Sequence, residues 1–229
     1  MSISLRSKKI LIISPHPDDE VIGCGGLIAE AKRQECDVFV LYICTGACRQ
    51  LVTGRTDEII RSKELEDVAN FGGFEYEILF NGENFVKLDV VPQKDIVDPI
   101  EDLIEKKKPD IICIPHGSSY NQDHRAVYTA CITALRPIPR NIRHFVNTVL
   151  VYEEPYVWTV GEVFRPNIYI DTSLVENDKL TLMSLHKSQD RPSPFSRSTE
   201  NLLNRMRIRG SEFGVKSAES YELIRGSIS

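Results

Sequence analysis

The string Ser14-Pro15-His16-Pro17-Asp18-Asp19-Glu20 places an imidazole and three carboxylates directly after a β-rich run and just before a cluster of glycines. A second concentration of the same chemistry, Pro115-His116-Gly117-Ser118-Ser119-Tyr120-Asn121-Gln122-Asp123-His124, follows a later apolar run. Two imidazoles and one carboxylate, with one position left to water, form the open donor set of a catalytic zinc. His16, Asp19 and His124 supply that set, and iron(II) is accepted by the same ligand types. Asp18 and Asp19 are adjacent on an extended loop, so their side chains point in different directions and their roles divide. Asp19 is expected on the metal. Asp18 is expected to take the proton of a water acidified by the cation and to help return it to the leaving amine. The competing reading of Asp18, Asp19 and Glu20 is a solvated acidic cap on a helix dipole. A distant histidine at a matching strand end favours the metal.

Those loops need a scaffold that brings them together. Lys9 to Ser14 reads as a strand, Gly25 to Gln34 as a helix and Asp37 to Ile43 as a strand. The alternation continues with a helix around Asp57 to Phe71, a strand around Tyr76 to Phe80, a helix from about Lys94 to Lys107, and a buried strand at Asp110 to Pro115. A helix at about Arg125 to Leu135 and a strand at Asn147 to Tyr152 complete the series. Right-handed crossovers then demand a mostly parallel sheet with helices on both faces, an α/β Rossmann-like three-layer sandwich. In such sheets ligands collect outside the carboxyl ends of the strands where the strand order reverses. In a 3-2-1-4-5 order the first and fourth strands flank that crevice, and the two ligand-bearing loops follow those strands. Beyond residue 152 the regularity fades into a C-terminal helical extension, with a short strand at Asn167 to Ile170 and helices near Ser173 to His186 and Ser198 to Arg209. With no linker, repeat or charge block, residues 1–229 are expected to form one domain, a core of about 8–152 and an extension of about 153–229.

Composition narrows the classes further. At 229 residues, 41% hydrophobic and 27% charged, the chain can bury a core without disulfides or a structural metal. A net charge of −5 argues against a nucleic-acid surface. The apolar run Ile10 to Ile13 is too short for a signal segment or membrane span, so a cytoplasmic protein is expected. The six cysteines lack paired C-x-x-C spacing and read as buried thiols; Cys44 and Cys48 alone are a weak metal signal.

The residues resemble the PIG-L or LmbE-like N-deacetylases, whose signature is similar to Pro15-His16-Pro17-Asp18-Asp19-Glu20 followed later by an Asp-His pair such as Asp123-His124. The resemblance spans most of the chain. It includes Thr45-Gly46, the Arg61 and Glu64 spacing, Lys108-Pro109-Asp110, Ser188-Gln189 and Ala218-Glu219. It implies zinc, a Rossmann-like fold and hydrolysis of an N-acetyl group on a glucosamine-like moiety. It implies that His16, Asp19 and His124 bind the metal, that Asp18 is the base and that Asp123 supports a neighbouring group. One position departs from the pattern, because members often carry a further histidine where Asn121 stands. An amide can donate to an oxyanion but cannot carry a proton at neutral pH. Asn121 is therefore expected to polarise the carbonyl, with His116, Tyr120 and His186 as candidates for proton transfer.

The expected partner is a small amino-sugar substrate, free or carrying a nucleotide or lipid phosphate, and a symmetric homo-oligomer is the base-rate expectation. Arg61 and Tyr120 are the candidate substrate contacts; for Arg61 an ordinary salt bridge to Glu64 one helical turn away explains the spacing equally well. Arg49 and Arg55 read as a solvated face. The basic stretch Arg191, Arg197, Arg205, Arg207 and Arg209 reads as an anion-recognition surface or, more simply, a solvated or subunit surface. Trp158, Tyr152, Tyr156 and Phe164 offer sugar stacking or seal the core. Gly23-Cys24-Gly25-Gly26 is not a dinucleotide fingerprint, and its glycines are expected to permit a tight turn and close helix packing. Two readings compete with sugar deacetylation: a related amidase acting on a thiol conjugate or peptide-like amide, and a catalytically impaired metal- or sugar-binding protein.

Overall fold

Every strand expected from the sequence forms, and the short apolar runs among them are buried because they lie in the middle of one sheet. The structure is a computed structural model; it describes residues 5–50, 54–155 and 161–227, without the side chains of residues 48–50, 55 and 83. The expectations for Tyr156 and Trp158, and for the side chains of Cys48, Arg49 and Arg55, lie outside the described residues. In chain order the elements are β1 (Lys9–Ser14), α1 (Asp19–Arg33), β2 (Asp37–Thr45), the short strands β3 (Cys48–Gln50) and β4 (Gly54–Thr56), α2 (Glu58–Gly72) and β5 (Glu75–Asn81). They continue with α3 (Gln93–Lys107), β6 (Ile111–Ile114), α4 (Gln122–Ala134), β7 (Thr148–Tyr152), β8 (Ile168–Asp171), α5 (Glu176–Leu185), α6 (Thr199–Phe213) and β9 (Ala218–Arg225).

The main sheet has seven strands in the order β5-β2-β1-β6-β7-β9-β8, and β3 pairs with β4 in a separate antiparallel ribbon. The first five strands of the sheet are parallel and realise the expected 3-2-1-4-5 order, so β1 and β6 are neighbours at the reversal point. Side-chain alternation along the strands divides the core in two. Ile10, Ile12, Val38 and Val40 pack towards Leu65 of α2, Leu182 of α5 and Leu202 of α6. Leu11, Ile13, Leu41 and Ile43 pack towards Ile100 of α3 and Val127 of α4. Among the described residues no helix is long and apolar enough to cross a membrane. Cys24, Cys36, Cys44, Cys113 and Cys131 are buried free thiols, as the spacing implied.

Two differences from the sequence reading have physical causes. α1 begins at Asp19, not Gly25, because the glycine cluster lies inside the helix, where each glycine admits a neighbour. A Cβ on Gly23 would lie 2.3 Å from Tyr152 Cδ2, one on Gly25 3.0 Å from Lys179 Cγ, and one on Gly26 2.9 Å from Glu219 Cδ. The extension is also more than helical, since β9 inserts antiparallel between β7 and β8 and finishes the sheet.

The approach to Gly26 serves a buried ion pair. Lys179 Nζ lies 2.6 Å from Glu219 Oε1 and donates to the carbonyl of Ile22 at 2.8 Å, while the Gly26 and Leu27 amides donate to the Glu219 carboxylate at 2.6 and 2.8 Å. Both side chains are 4% exposed. Removing one member of such a pair strands the other charge. Lys179→Met is therefore expected to lower stability by about 3–5 kcal/mol, read as a shift in urea midpoint. Lys179→Met combined with Glu219→Gln should lose less than the two single losses added together.

Candidate metal centre

The loop after β1 is bent back on itself, and its hydrogen bonds account for the bend. Cys44 N donates to Pro15 O at 3.0 Å, tying the loop to β2, and Ser14 Oγ donates to His16 O at 2.7 Å. Asp18, the N-cap of α1, has φ 115° and ψ −28°, a conformation that costs a non-glycine residue on the order of 1–3 kcal/mol and persists only where its surroundings enforce it. Its amide donates to Glu20 Oε2 at 2.9 Å, and Glu20 Oε1 meets His186 Nε2 at 2.7 Å. Arg61 Nη2 donates to Pro17 O at 2.8 Å.

This loop meets the N-terminus of α4 across the β1–β6 boundary. His16 Nδ1 is 3.3 Å and His124 Nε2 is 3.1 Å from the same oxygen, Asp19 Oδ2. The three donor atoms lie within 4.8 Å of one another, and all three residues are buried. Tetrahedral zinc at about 2.0–2.1 Å from each donor spaces neighbouring donors roughly 3.3 Å apart, so the donor set fits such an ion. The second nitrogen of each ring is held by another carboxylate. His16 Nε2 is 2.8 Å from Asp123 Oδ2, and His124 Nδ1 is 2.7 Å from Glu154 Oε1. A carboxylate behind each imidazole fixes its tautomer and orientation, as metal-ligating histidines require. Asp123 is fully buried, and its other oxygen accepts the Leu88 amide at 3.0 Å.

The electrostatics favour positive charge at this point. Burial opposes charge on both rings, but Asp123 and Asp19 raise the proton affinity of His16, and Asp19 and Glu154 raise that of His124 well above the usual range. Burial also pushes Asp19 up, yet His124 and His16 hold it well below the ordinary carboxylate range. Asp18 is different: burial, with Asp19 beside it, raises its pKa despite the opposing charges of Arg197, Arg61 and His186. The two adjacent carboxylates therefore differ, Asp19 being held ionised by its histidines and Asp18 having a raised proton affinity.

The structure thus brings together His16, Asp18, Asp19, Asp123 and His124. Asn121 stands at the N-cap of α4, where its Oδ1 accepts the Asp123 amide at 3.0 Å, so only the amide nitrogen is left to donate to a carbonyl. Arg61 is 2% exposed and its Nη2 donates to the Pro17 carbonyl, beside the loop that carries His16 and Asp19; Glu64 accepts the amide and hydroxyl of Ser188, both at 2.6 Å. Tyr120 is 48% exposed on the second loop. His186 is buried against Glu20, and His116 lies edge-on to Phe164. Tyr152 seals the core and donates to Ile13 O at 3.1 Å. The basic stretch is mostly turned inward: Arg205 and Arg209 pair with Glu153, Arg207 with Glu176, and Arg197 with Asp18, while Arg191 is buried and donates to the Ser188 and Asp190 carbonyls.

Sequence reasoning missed Glu154 and the pairing of Arg197 with Asp18. For Glu154 a signal existed, an acidic pair at the carboxyl end of the fifth strand; for Arg197 there was none. Glu154→Ala is expected to weaken zinc affinity by about 10–100-fold, measured by competition with a chromogenic chelator.

A buried His-Asp-His triangle at the reversal point of a parallel α/β sheet defines a candidate metallohydrolase site. The chain belongs to the PIG-L family, described as GlcNAc-PI de-N-acetylase, whose model matches residues 11–135, over half of the sequence. It is 29% identical over 198 residues to an uncharacterized deacetylase, YaiS, of Escherichia coli K12, covering 82% of this chain and 95% of the relative. It is 28% identical over 192 residues to a probable N-acetyl-alpha-D-glucosaminyl L-malate deacetylase 2 of Bacillus cereus, covering 80% and 84%. Among solved structures, the conserved protein TT1542 of Thermus thermophilus superposes with a TM-score of 0.74 at 20% identity over 97% of both chains. The 4-carboxy-2-hydroxymuconate hydratase GalB of Pseudomonas putida KT2440 does so with a TM-score of 0.73 at 17% identity, over 97% of this chain and 98% of that one. These two likenesses concern the fold.

Proposed function

We propose that this chain, acting as one domain, hydrolyses the acetamido group of an N-acetylated, glucosamine-like sugar, releasing acetate and a primary amine. The carrying observation is the His16-Asp19-His124 triangle with Asp18 beside it. The fold also serves a hydratase, so the choice of reaction rests on the site and not on the scaffold. His16, Asp19 and His124 would hold zinc, with iron(II) as the alternative. When bound, the cation polarises the acyl carbonyl and eases deprotonation of a water molecule. Asp18 takes that proton and passes it to the nitrogen as the carbon–nitrogen bond breaks. Asp123 and Glu154, by accepting from the second nitrogen of each ring, fix its tautomer and turn the other nitrogen toward the metal. The Asn121 amide nitrogen polarises the carbonyl, and Tyr120, half exposed, faces the sugar. Arg61 acts on the loop.

The test is a set of N-acetylated sugars, free, nucleotide-linked and lipid-linked, given to zinc-loaded protein with primary amine as the readout. Amine release from at least one sugar is expected. Release confined to thiol conjugates or peptide-like amides would replace the sugar with a different amide. Stoichiometric zinc with no hydrolysis of any amide would make the chain a binding protein.

A further inference from the structure

Asp18 has three constraints, and two trace back to the C-terminal extension. Its backbone, at φ 115°, is pinned by Glu20, which is itself held by His186 at the end of α5. Its carboxylate oxygen Oδ2 is held by Arg197 Nη1 at 2.8 Å, with the Asp18 side chain 4% and the Arg197 side chain 21% exposed. The third is the chain itself, where Asp19 is committed to the two histidines. Arg197 is well moored for this task. The next residue, Ser198, caps α6 by accepting the Asn201 amide at 3.2 Å, and Asn201 Nδ2 donates back to the carbonyls of Phe195 at 2.9 Å and Pro194 at 3.3 Å. The loop is thus tied to the helix that follows it, and the guanidinium projects from a fixed base. Ion pairs on open surfaces contribute little; this one joins a mostly buried guanidinium to a buried carboxylate through a charge-assisted bond, which fixes geometry as well as charge.

We propose that Arg197 is a positioning residue for the reaction, holding the Asp18 carboxylate in the orientation from which it serves as base. The inference rests on the deacetylase reading above. It makes the extension, which lies beyond residue 135, a part of the reaction machinery: the metal donors come from the core loops, and the aim of the base comes from Arg197 and, through Glu20, from His186. A misplaced reacting group costs on the order of 100-fold in rate without any loss of binding.

The experiment compares wild type, Arg197→Ala and Arg197→Lys as full-length, zinc-loaded protein on N-acetylglucosamine or whichever acetylated sugar the wild type turns over. Arg197→Ala should keep its zinc and its KM and lose about 100-fold in kcat, with added guanidinium ion restoring part of the loss. Arg197→Lys keeps the charge without the planar fork, so it should fall between the two. A raised KM at unchanged kcat would make Arg197 a substrate contact and overturn the proposal, as would unchanged kinetics. A second readout needs no turnover: in a crystal structure of Arg197→Ala the Asp18 carboxylate should leave its present rotamer, and its staying in place would overturn the proposal. Wild-type protein inactive on every acetylated sugar would sink the deacetylase reading, and the Asp18 rotamer would then decide by itself whether Arg197 holds the carboxylate.

Discussion

Asp18→Asn leaves the zinc content of the protein unchanged and removes its turnover. The carboxamide is nearly isosteric and can still take a hydrogen bond from Arg197, so the αL turn and the donor triangle survive. What it lacks is the ability to accept a proton. General-base assistance is worth about 10²–10⁴-fold, and kcat should fall by that order, with zinc quantified on the same samples. Because burial raises the proton affinity of Asp18, the native group is a better base than an exposed aspartate. Retained turnover in Asp18→Asn would remove the residue from the chemistry. Loss of zinc in the same variant would make it a ligand, contrary to the proposed division between Asp18 and Asp19.

His124→Ala has the complementary outcome, loss of both metal and turnover. His124 supplies one of three donors, and its Nε2 lies 3.1 Å from Asp19 Oδ2. Its removal leaves two donors, and the buried Asp19 and Glu154 carboxylates lose their shared partner. Zinc should fall below stoichiometry after dialysis, measured by atomic absorption, and stability should fall as well. The sign of the pH dependence follows from the raised proton affinities of His16 and His124. Both rings must be neutral to bind metal, so zinc loading of the native protein should weaken as pH falls and strengthen as it rises. Full retention of zinc by His124→Ala would end the case for the triangle.

Much of this was legible before any coordinates. Four of the five parallel strands, β1, β2, β6 and β7, are apolar runs buried on both faces, and such runs stand out from helices with one wet side; β5, at the edge, is not buried. The order of β5, β2, β1, β6 and β7 is the doubly wound one assumed from the strand–helix alternation, and it makes the His16 and His124 loops meet. What stayed hidden shares one cause: polar residues placed in the interior. β9 carries Glu219 and Ser220, both buried, because they serve Lys179, the α1 amides and Glu153; a strand with such residues inside loses its hydrophobic signature. The same network hid the start of α1, since glycines that admit Glu219 and Lys179 look like a turn when their neighbours are unknown. Arg197 gave no sign because its partner lies 179 residues away in sequence. Its neighbours in the basic stretch looked like an open charged surface, yet each finds an internal carboxylate or carbonyl.

The place of β9 between β7 and β8 also sets an order of events during synthesis. β8 is made two helices before the strand that binds it to the sheet, so a ribosome that has just released β8 carries a nascent segment with nowhere to dock. Until β9 arrives, the open side of β7 remains an unprotected edge, available to intermolecular strand pairing.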